Sequence, residues 1–282
     1  MVFRVAQISD THLSPVHPHF VGNFERIAAD LRRLAPDLVV NTGDLTVDGA
    51  DRADDLAMAR SLHDAIGLPW HAVPGNHDVG DDPLPTARQP ANAERLARYA
   101  EIVGNDSFVV DAPGWRLIGI NSLVLGSDLP AAANQLAMLR DAANEAGDRA
   151  IALFLHKPLY LGGEDPDGTY WRVRNVGRSA LMAAFDTRRP ALVASGHMHQ
   201  YRRLQHDGMT HLWAPSAAFV VGDGYQQRMG TKLVGYVAHE FRADGSFDNA
   251  LVTVDGLALD DIVDLPEIYG PQKPVHAGEV GA

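Results

Sequence analysis

Seven side chains in this sequence could hold cations. They fall in five short blocks: Asp10-Thr11-His12, Gly43-Asp44, Gly75-Asn76-His77-Asp78, Leu155-His156 and Gly196-His197-Met198-His199. The set Asp10, His12, Asp44, Asn76, His156, His197 and His199 mixes imidazole nitrogen with carboxylate and amide oxygen and contains no sulfur. Such donors suit iron, manganese or zinc. Seven groups are too many for one tetrahedral ion but serve two ions that share a ligand. Asp44 is the natural bridge, because a carboxylate has two oxygens and the charge to hold cations about 3.5–4 Å apart. Such a pair acidifies a bound water, binds a phosphoryl oxygen and stabilises the charge of an in-line displacement. That chemistry needs no cysteine or serine nucleophile. Taken singly, each block has an ordinary reading: Gly-Asp after a strand is commonly a turn with an Asp cap, and His-x-His arises by chance in a chain with 13 histidines. The conjunction of all five carries the inference.

The elements that must position these blocks are short. Phe3 to Ile8, Leu38 to Thr42, Trp70 to Val73, Ala150 to Leu155 and Ala191 to Ser195 read as strands, and each runs into one of the blocks. Helical patterns lie between them. Asn23 to Leu34 carries an apolar face of Phe24, Ile27, Ala28 and Leu31, with Asn23 as N-cap. Asp51 to Ile66 carries Leu56, Ala59, Leu62 and Ile66. This alternation predicts an α/β fold, in which functional residues gather outside the carboxyl ends of strands. Later segments read as strands with little helix between them: Phe108 to Val110, Trp115 to Asn121, Met209 to Ala214, Leu233 to Phe241 and Ala250 to Val254. Ala243-Asp244-Gly245 predicts a hairpin turn, so the sheets are mixed. One domain over residues 1–265 is expected, β-rich over about 230–265, followed by an extended or disordered tail over 266–282 rich in Pro and Gly.

Composition removes several function classes. The 282 residues are 46% apolar and 21% charged, which fits a folded globular chain. There is no cysteine, so thiolate nucleophiles, thiolate zinc sites and iron–sulfur clusters are excluded, and a reducing, cytoplasmic location is expected. Lys and Arg number 24 against 36 Asp and Glu, a net charge of −12. A chain this acidic has no bulk attraction for nucleic acid polymers, and no run reaches the ~18 apolar residues of a membrane span. The expected partner is a small-molecule phosphodiester.

The five blocks, in this order, resemble the pattern D-x-H, GD, GNH[DE], H, GHxH of the calcineurin-like metallophosphoesterases, and the resemblance runs from about Val2 to Ala214. ISDTHL, the GNHD form and HKP after the fourth strand are most similar to a bacterial branch that includes class III cyclic nucleotide phosphodiesterases and glycerophosphodiesterases. The resemblance implies a four-layer α/β/β/α sandwich with two mixed sheets. It implies that Asp10, His12 and His199 hold one metal ion, that Asn76, His156 and His197 hold the other, and that Asp44 bridges and so serves catalysis. It further implies that His77 is catalytic rather than a ligand, facing the substrate and stabilising the phosphoryl group or protonating the leaving oxygen, with Asn76 and His199 also near substrate. Relatives in this branch are often homodimers or larger. The implied activity is a dinuclear phosphohydrolase acting on a 3′,5′-cyclic nucleotide, or alternatively on a glycerophosphodiester or phosphomonoester; a non-catalytic metal-binding scaffold is the rival. Protein phosphatases of the family carry GDxxDRG and GNHE, whereas GDLTVDG and GNHD stand here, without the arginine that clamps phosphate.

Several other residues have both a functional and a plain reading. Asp48 could orient His77 or cap its loop. His17 and His19 could line the substrate mouth or sit exposed. Lys157 could neutralise phosphate or form a surface salt bridge. Tyr170 or Trp171 could stack on a nucleobase or anchor the loop of Gly163 to Trp171. Asn121-Ser122 and the loop from Phe219 to Tyr225 could border the crevice.

Overall fold

A computed structural model describes residues 1–84, 87–163, 170–185 and 188–271. The chain runs β1 (Val2–Ile8), α1 (Val21–Leu34), β2 (Leu38–Asn41), α2 (Ala53–Asp64), β3 (Trp70–Ala72), α3 (Asn76–Val79), α4 (Ala93–Ile102), β4 (Phe108–Ala112), β5 (Trp115–Gly119), α5 (Pro130–Asn144) and β6 (Ala150–Phe154). It continues through α6 (Asn175–Ala183), β7 (Leu192–Ser195), β8 (Arg202–His206), β9 (Met209–Trp213), β10 (Tyr236–Arg242), β11 (Phe247–Val252) and α7 (Pro266–Tyr269).

Two mixed sheets form. The first has the order β11-β10-β1-β2-β3 and the second β4-β5-β6-β7-β9-β8. In the first, β1, β2 and β3 are parallel, while β10 pairs antiparallel with β1 from Val2 opposite Arg242 to Gln7 opposite Val237. In the second, β5, β6, β7 and β9 are parallel, flanked by antiparallel β4 and β8. The hairpin expected at Ala243 to Gly245 joins β10 to β11.

Alternation along the strands builds the layers. Val5, Leu38 and Val40 of the first sheet meet Trp115, Leu117, Ala152, Phe154 and Leu192 of the second in one buried core. Ala6, Ile8 and Val39 point the other way, onto Phe24, Ile27, Leu31, Leu56 and Ala59 of α1 and α2. Ile118, Ile151, Leu153 and Val193 do the same for α5 and α6. The result is the expected α/β/β/α sandwich. Trp115 anchors the central layer: it is fully buried, its ring lies 4.7 Å from Phe241, and its Nε1 donates to Arg242 O at 2.9 Å. Truncating such a residue to Ala costs about 3–5 kcal/mol.

Three local readings differ from expectation. Asn23 lies inside α1 rather than capping it, because its amide donates to Ala218 O and Ala258 O and accepts from Ala258 N, tying the helix to two later loops. Strand β8 is an edge strand whose polar sequence RRLQH hides its alternation. Pro266–Tyr269 is a short helix rather than an extended arm, since Leu265, Ile268 and Tyr269 pack on Phe20, Ala218, Phe219 and Ile262. Residues 272–282 of the expected tail lie outside the described residues.

Candidate metal centre

All five blocks leave the carboxyl ends of parallel strands: β1, β2 and β3 in one sheet, β6 and β7 in the other. Because the sheets face each other, the five ends meet. Asp10 N donates to Gly43 O at 2.9 Å, His12 N to Asp44 O at 3.1 Å and Gly196 N to His156 O at 2.9 Å, locking neighbouring loops together. The backbone is bent hard here. Of the seven non-glycine residues with positive φ among the described residues, five are Asp10, His12, Asp44, His197 and His199. Left-handed backbone at non-glycine residues costs of order 1 kcal/mol or more each and persists where surrounding structure over-determines it. Two glycines let the loops approach: a Cβ on Gly75 would overlap Asp44 Oδ1, and one on Gly196 would overlap Ser9 Oγ beside Asp10.

The side chains converge in three overlapping groups: Asp10, His12 and His199; His12, Asp44 and His77; and Asp44, His156 and His197, each with ligand atoms within 4.8 Å of one another. Asn76 completes the last group, its Oδ1 lying 3.2 Å from His156 Nε2. The structure therefore brings together all seven candidate donors, with His77 beside them. Asp44 stands between the halves, one oxygen 2.8 Å from the His77 backbone N–H and the other 3.2 Å from His156 Nε2.

The tautomers make the centre cation-seeking. His156 Nδ1 lies 2.8 Å from Thr42 O and His197 Nε2 lies 3.2 Å from Tyr170 O, so each of these nitrogens must donate its proton to a carbonyl. In the neutral rings, His156 Nε2 and His197 Nδ1 are then both lone pairs, yet they face each other at 3.1 Å. His199 Nδ1 likewise meets Phe219 O at 3.0 Å, leaving its Nε2 lone pair 3.3 Å from His12 Nε2. Paired acceptors in a buried site need a cation or a proton between them. The donor set thus fits two metal ions. The electrostatics divide the rings: burial alone would lower His156, but the Asp44 charge and hydrogen bond outweigh it and raise its pKa to about 9, so in the metal-free site a proton on His156 Nε2 stands where an ion would bind. Burial, then the neighbouring His77 ring, lowers the His12 pKa well below its ordinary value; burial, then His156, does the same for His197. Burial alone would push Asp44 up, but the His156 and His77 rings outweigh it and hold the carboxylate ionised. His12 and His197 are thus in the neutral form that binds metal, and an ion would displace the proton that His156 holds.

The sequence model of the family described as calcineurin-like phosphoesterase matches residues 3–201. The chain belongs to that family. Members use a dinuclear metal centre, and the chain is a metal-dependent phosphoester hydrolase. It is 26% identical over 220 residues to a probable glycerophosphodiester phosphodiesterase of Arcobacter nitrofigilis, covering 70% of this chain and 71% of the relative. It is 28% identical over 264 residues to a probable cyclic nucleotide phosphodiesterase of Synechococcus, covering 90% and 94%. A dimetal phosphatase from Danio rerio shares the fold with a TM-score of 0.60 at 13% identity, over 90% of this chain and 99% of that one.

Around the donors, this phosphoesterase carries supports that sequence reading missed. Asp78, fully buried, accepts from Leu45 N, Thr46 N, Thr46 Oγ1 and Gly75 N at 2.7–3.1 Å, pinning the Asp44 loop to the Asn76 loop. Burial first, and the Asp44 charge second, raise its pKa. Tyr170 Oη accepts from Asn76 Nδ2 at 3.1 Å, which turns the amide oxygen toward His156. Tyr269 Oη lies 2.6 Å from His12 Nδ1. The sequence marks Tyr170 as a stacking or anchoring residue, not as a partner of Asn76, and no motif marks Tyr269.

Other candidates take their plain roles or new ones. His77 Nδ1 meets Val47 O at 2.8 Å, so the backbone orients it and Asp48 instead accepts from Gln89. Lys157 is not on the surface: it is buried, ion-paired with Asp81 and Asp82, and lies 4.9 Å from the Tyr170 ring centroid. His19 pairs with Asp260 at 3.3 Å, and His17 is part-exposed. Asn121 caps a 3-10 turn over Ser122–Val124, and Ser122 Oγ accepts from Lys157 N. Phe219 does border the centre, 4.8 Å from His12 and 4.4 Å from His199 between ring centroids. Glu164 to Thr169 of the aromatic loop lie outside the described residues. No helix among the described residues is long and apolar enough to cross a membrane.

Proposed function

We propose that the chain is a dinuclear phosphodiesterase for small phosphodiesters, with 3′,5′-cyclic nucleotides as the leading class. Asp10, His12 and His199 hold one ion, Asn76, His156 and His197 the other, and Asp44 both. The observation that supports this most strongly is the convergence of the donors on Asp44, with His12 Nε2 3.3 Å from His199 Nε2 in one half and His156 Nε2 3.1 Å from His197 Nδ1 in the other. Iron, manganese or zinc bound there would supply Lewis acidity toward a phosphoryl oxygen and an acidified water as nucleophile. The protein's own part is positioning and proton transfer. His77 commits Nδ1–H to Val47 O, so any proton it gives to the leaving oxygen comes from Nε2. His199 and Asn76 fix the edges of the phosphoryl site.

One feature favours a diester. Lys157 directly follows a ligand but is committed to Asp81 and Asp82, so it does not meet the second charge of a phosphomonoester. The Tyr170 and Trp171 rings stand 4.8 and 5.8 Å from His197, beside the centre, and support a base-bearing substrate without choosing between monoester and diester. The name of the Arcobacter relative favours a second substrate class, glycerophosphodiesters. The net charge of −12 argues against nucleic acid polymers. The same reading carries a cytoplasmic location and a homodimer or larger assembly, the latter measurable by light scattering.

The test is a panel of cyclic nucleotides, glycerophosphodiesters and phosphomonoesters on metal-depleted protein, with iron, manganese and zinc restored in turn. The expected result is metal-dependent turnover with the highest kcat/KM on a cyclic nucleotide. A preference for glycerophosphodiesters would move the substrate assignment. A fully metallated protein inert to the whole panel would establish the scaffold reading.

A further inference from the structure

A histidine that binds metal through one nitrogen is usually fixed by a hydrogen bond from the other, and that outer partner sets ring orientation and tautomer. Three of the four candidate ligand histidines use backbone carbonyls for this: Thr42 O for His156, Tyr170 O for His197 and Phe219 O for His199. His12 differs. Its outer nitrogen, Nδ1, meets a side-chain oxygen, Tyr269 Oη, at 2.6 Å, from a helix 257 residues further along the chain. In the metal-free site either group can donate across this contact; with an ion on Nε2, Nδ1 carries the ring proton and the phenol oxygen accepts it. Its ring also approaches His77, at 4.9 Å between centroids.

The placement is built, not incidental. Leu265, Ile268 and Tyr269 pack on Phe20, Ala218 and Phe219. Phe219 is the residue whose carbonyl orients His199, so one apolar patch serves both histidines on the Asp10 side. Val220 pairs with Asp261, and Asp261 caps the turn Ile262–Asp264 that leads into α7. The helix is thereby fixed over the loop that follows the last ligand.

Resting on the dinuclear reading above, we propose that Tyr269 is a positioning residue. Its hydroxyl oxygen accepts from His12 Nδ1, holds the tautomer that leaves a lone pair on Nε2, and makes ion retention by the Asp10–His12–His199 half depend on the C-terminal helix. A phenylalanine at this position keeps the ring packing and removes only the acceptor. Without it, nothing else described fixes which His12 nitrogen carries the proton.

The experiment uses zinc as the probe on the full chain. Zinc content is measured during titration with a competing chelator for wild type, Tyr269→Phe and Tyr269→Ala, with the unfolding temperature of each metal-free protein as a check on packing. Imidazole nitrogen NMR of the zinc-loaded proteins reports the His12 tautomer. Wild type should hold two zinc ions. Tyr269→Phe should unfold like wild type, release one of the two ions at about 10–100-fold lower chelator strength, and alter the His12 signal. Tyr269→Ala should do so at least as strongly. If wild type holds two ions and Tyr269→Phe matches it in both retention and His12 signal, the role of Tyr269 is wrong while the dinuclear reading stands. If wild type holds fewer than two, both fall.

Discussion

Two groups of buried histidines occupy this fold, and they behave in opposite ways. His63 and His239 belong to the core. His63 packs between Phe24 and Trp70 at 4.9 Å, Nδ1 against Ala59 O at 2.7 Å and Nε2 against Asn41 Nδ2 at 2.9 Å, so each nitrogen has a complementary partner. His239 stacks on Phe241 and gives Nε2 to Gln7 Oε1 at 3.0 Å, while its buried Nδ1 has no hydrogen-bond partner among the described residues. The histidines of the centre are equally buried, but their inner nitrogens face one another, and three of them sit on or beside left-handed backbone at strand ends. Burial alone does not distinguish a ligand from a structural histidine. The convergence of ring nitrogens on one another and the strain of the backbone do.

The sharpest way to break the contrast is to substitute the shared carboxylate. Asp44→Asn should reduce metal-dependent hydrolysis of an aryl phosphodiester by far more than the ~10–100-fold that loss of an outer partner costs, with the fold intact by circular dichroism. Near-normal turnover would remove the bridging role. His77→Ala should lower kcat by about 10²–10⁴-fold while both ions stay bound, as checked by elemental analysis; loss of an ion would make His77 a ligand.

The next comparison is of stability in chelator. His63→Ala should cost about 2–4 kcal/mol in urea unfolding, because it opens a cavity and leaves the Asn41 amide unpaired, with metal content unchanged. His197→Ala should instead lose one of the two ions, and its loss of stability should be larger in the metal-loaded than in the metal-free protein. Equal effects of both substitutions on metal content would mean that the two groups do not differ.

The smallest effect is in pH. Burial is the first cause lowering His63 to about 4, and burial lowers His239 to about 3. Both bind protons more weakly folded than unfolded, so their contribution to stability is complete above about pH 6.5 and is lost as pH falls toward those values. Between pH 6.5 and 5, His63 alone should remove roughly 2 kcal/mol. A His63→Leu protein should show a shallower decline in unfolding free energy over that interval, and an identical slope would contradict the assignment.

The five ligand blocks were legible in the sequence because each is contiguous and each ends a short apolar strand. The layers followed from the alternation of Val5, Ala6 and Ile8 in β1 and its counterparts, with both faces buried. What could not be read is what contact across the fold creates. The hydroxyls of Tyr170 and Tyr269 acquire their partners only when distant loops meet. Asp78 was visible as the last letter of GNHD, but its role as the clasp between two loops depends on where Leu45 and Thr46 return. Lys157 reads as a surface cation until Asp81 and Asp82 fold over it. Strand β8 escaped notice because an edge strand tolerates Arg202, Arg203 and Gln205.

The most direct test is anomalous diffraction from crystals of the protein grown with excess manganese or zinc. Two peaks about 3.5–4 Å apart are expected, with the Asp44 carboxylate between them, Asp10, His12 and His199 around one, and Asn76, His156 and His197 around the other. A single peak, or two peaks away from Asp44, would contradict the account.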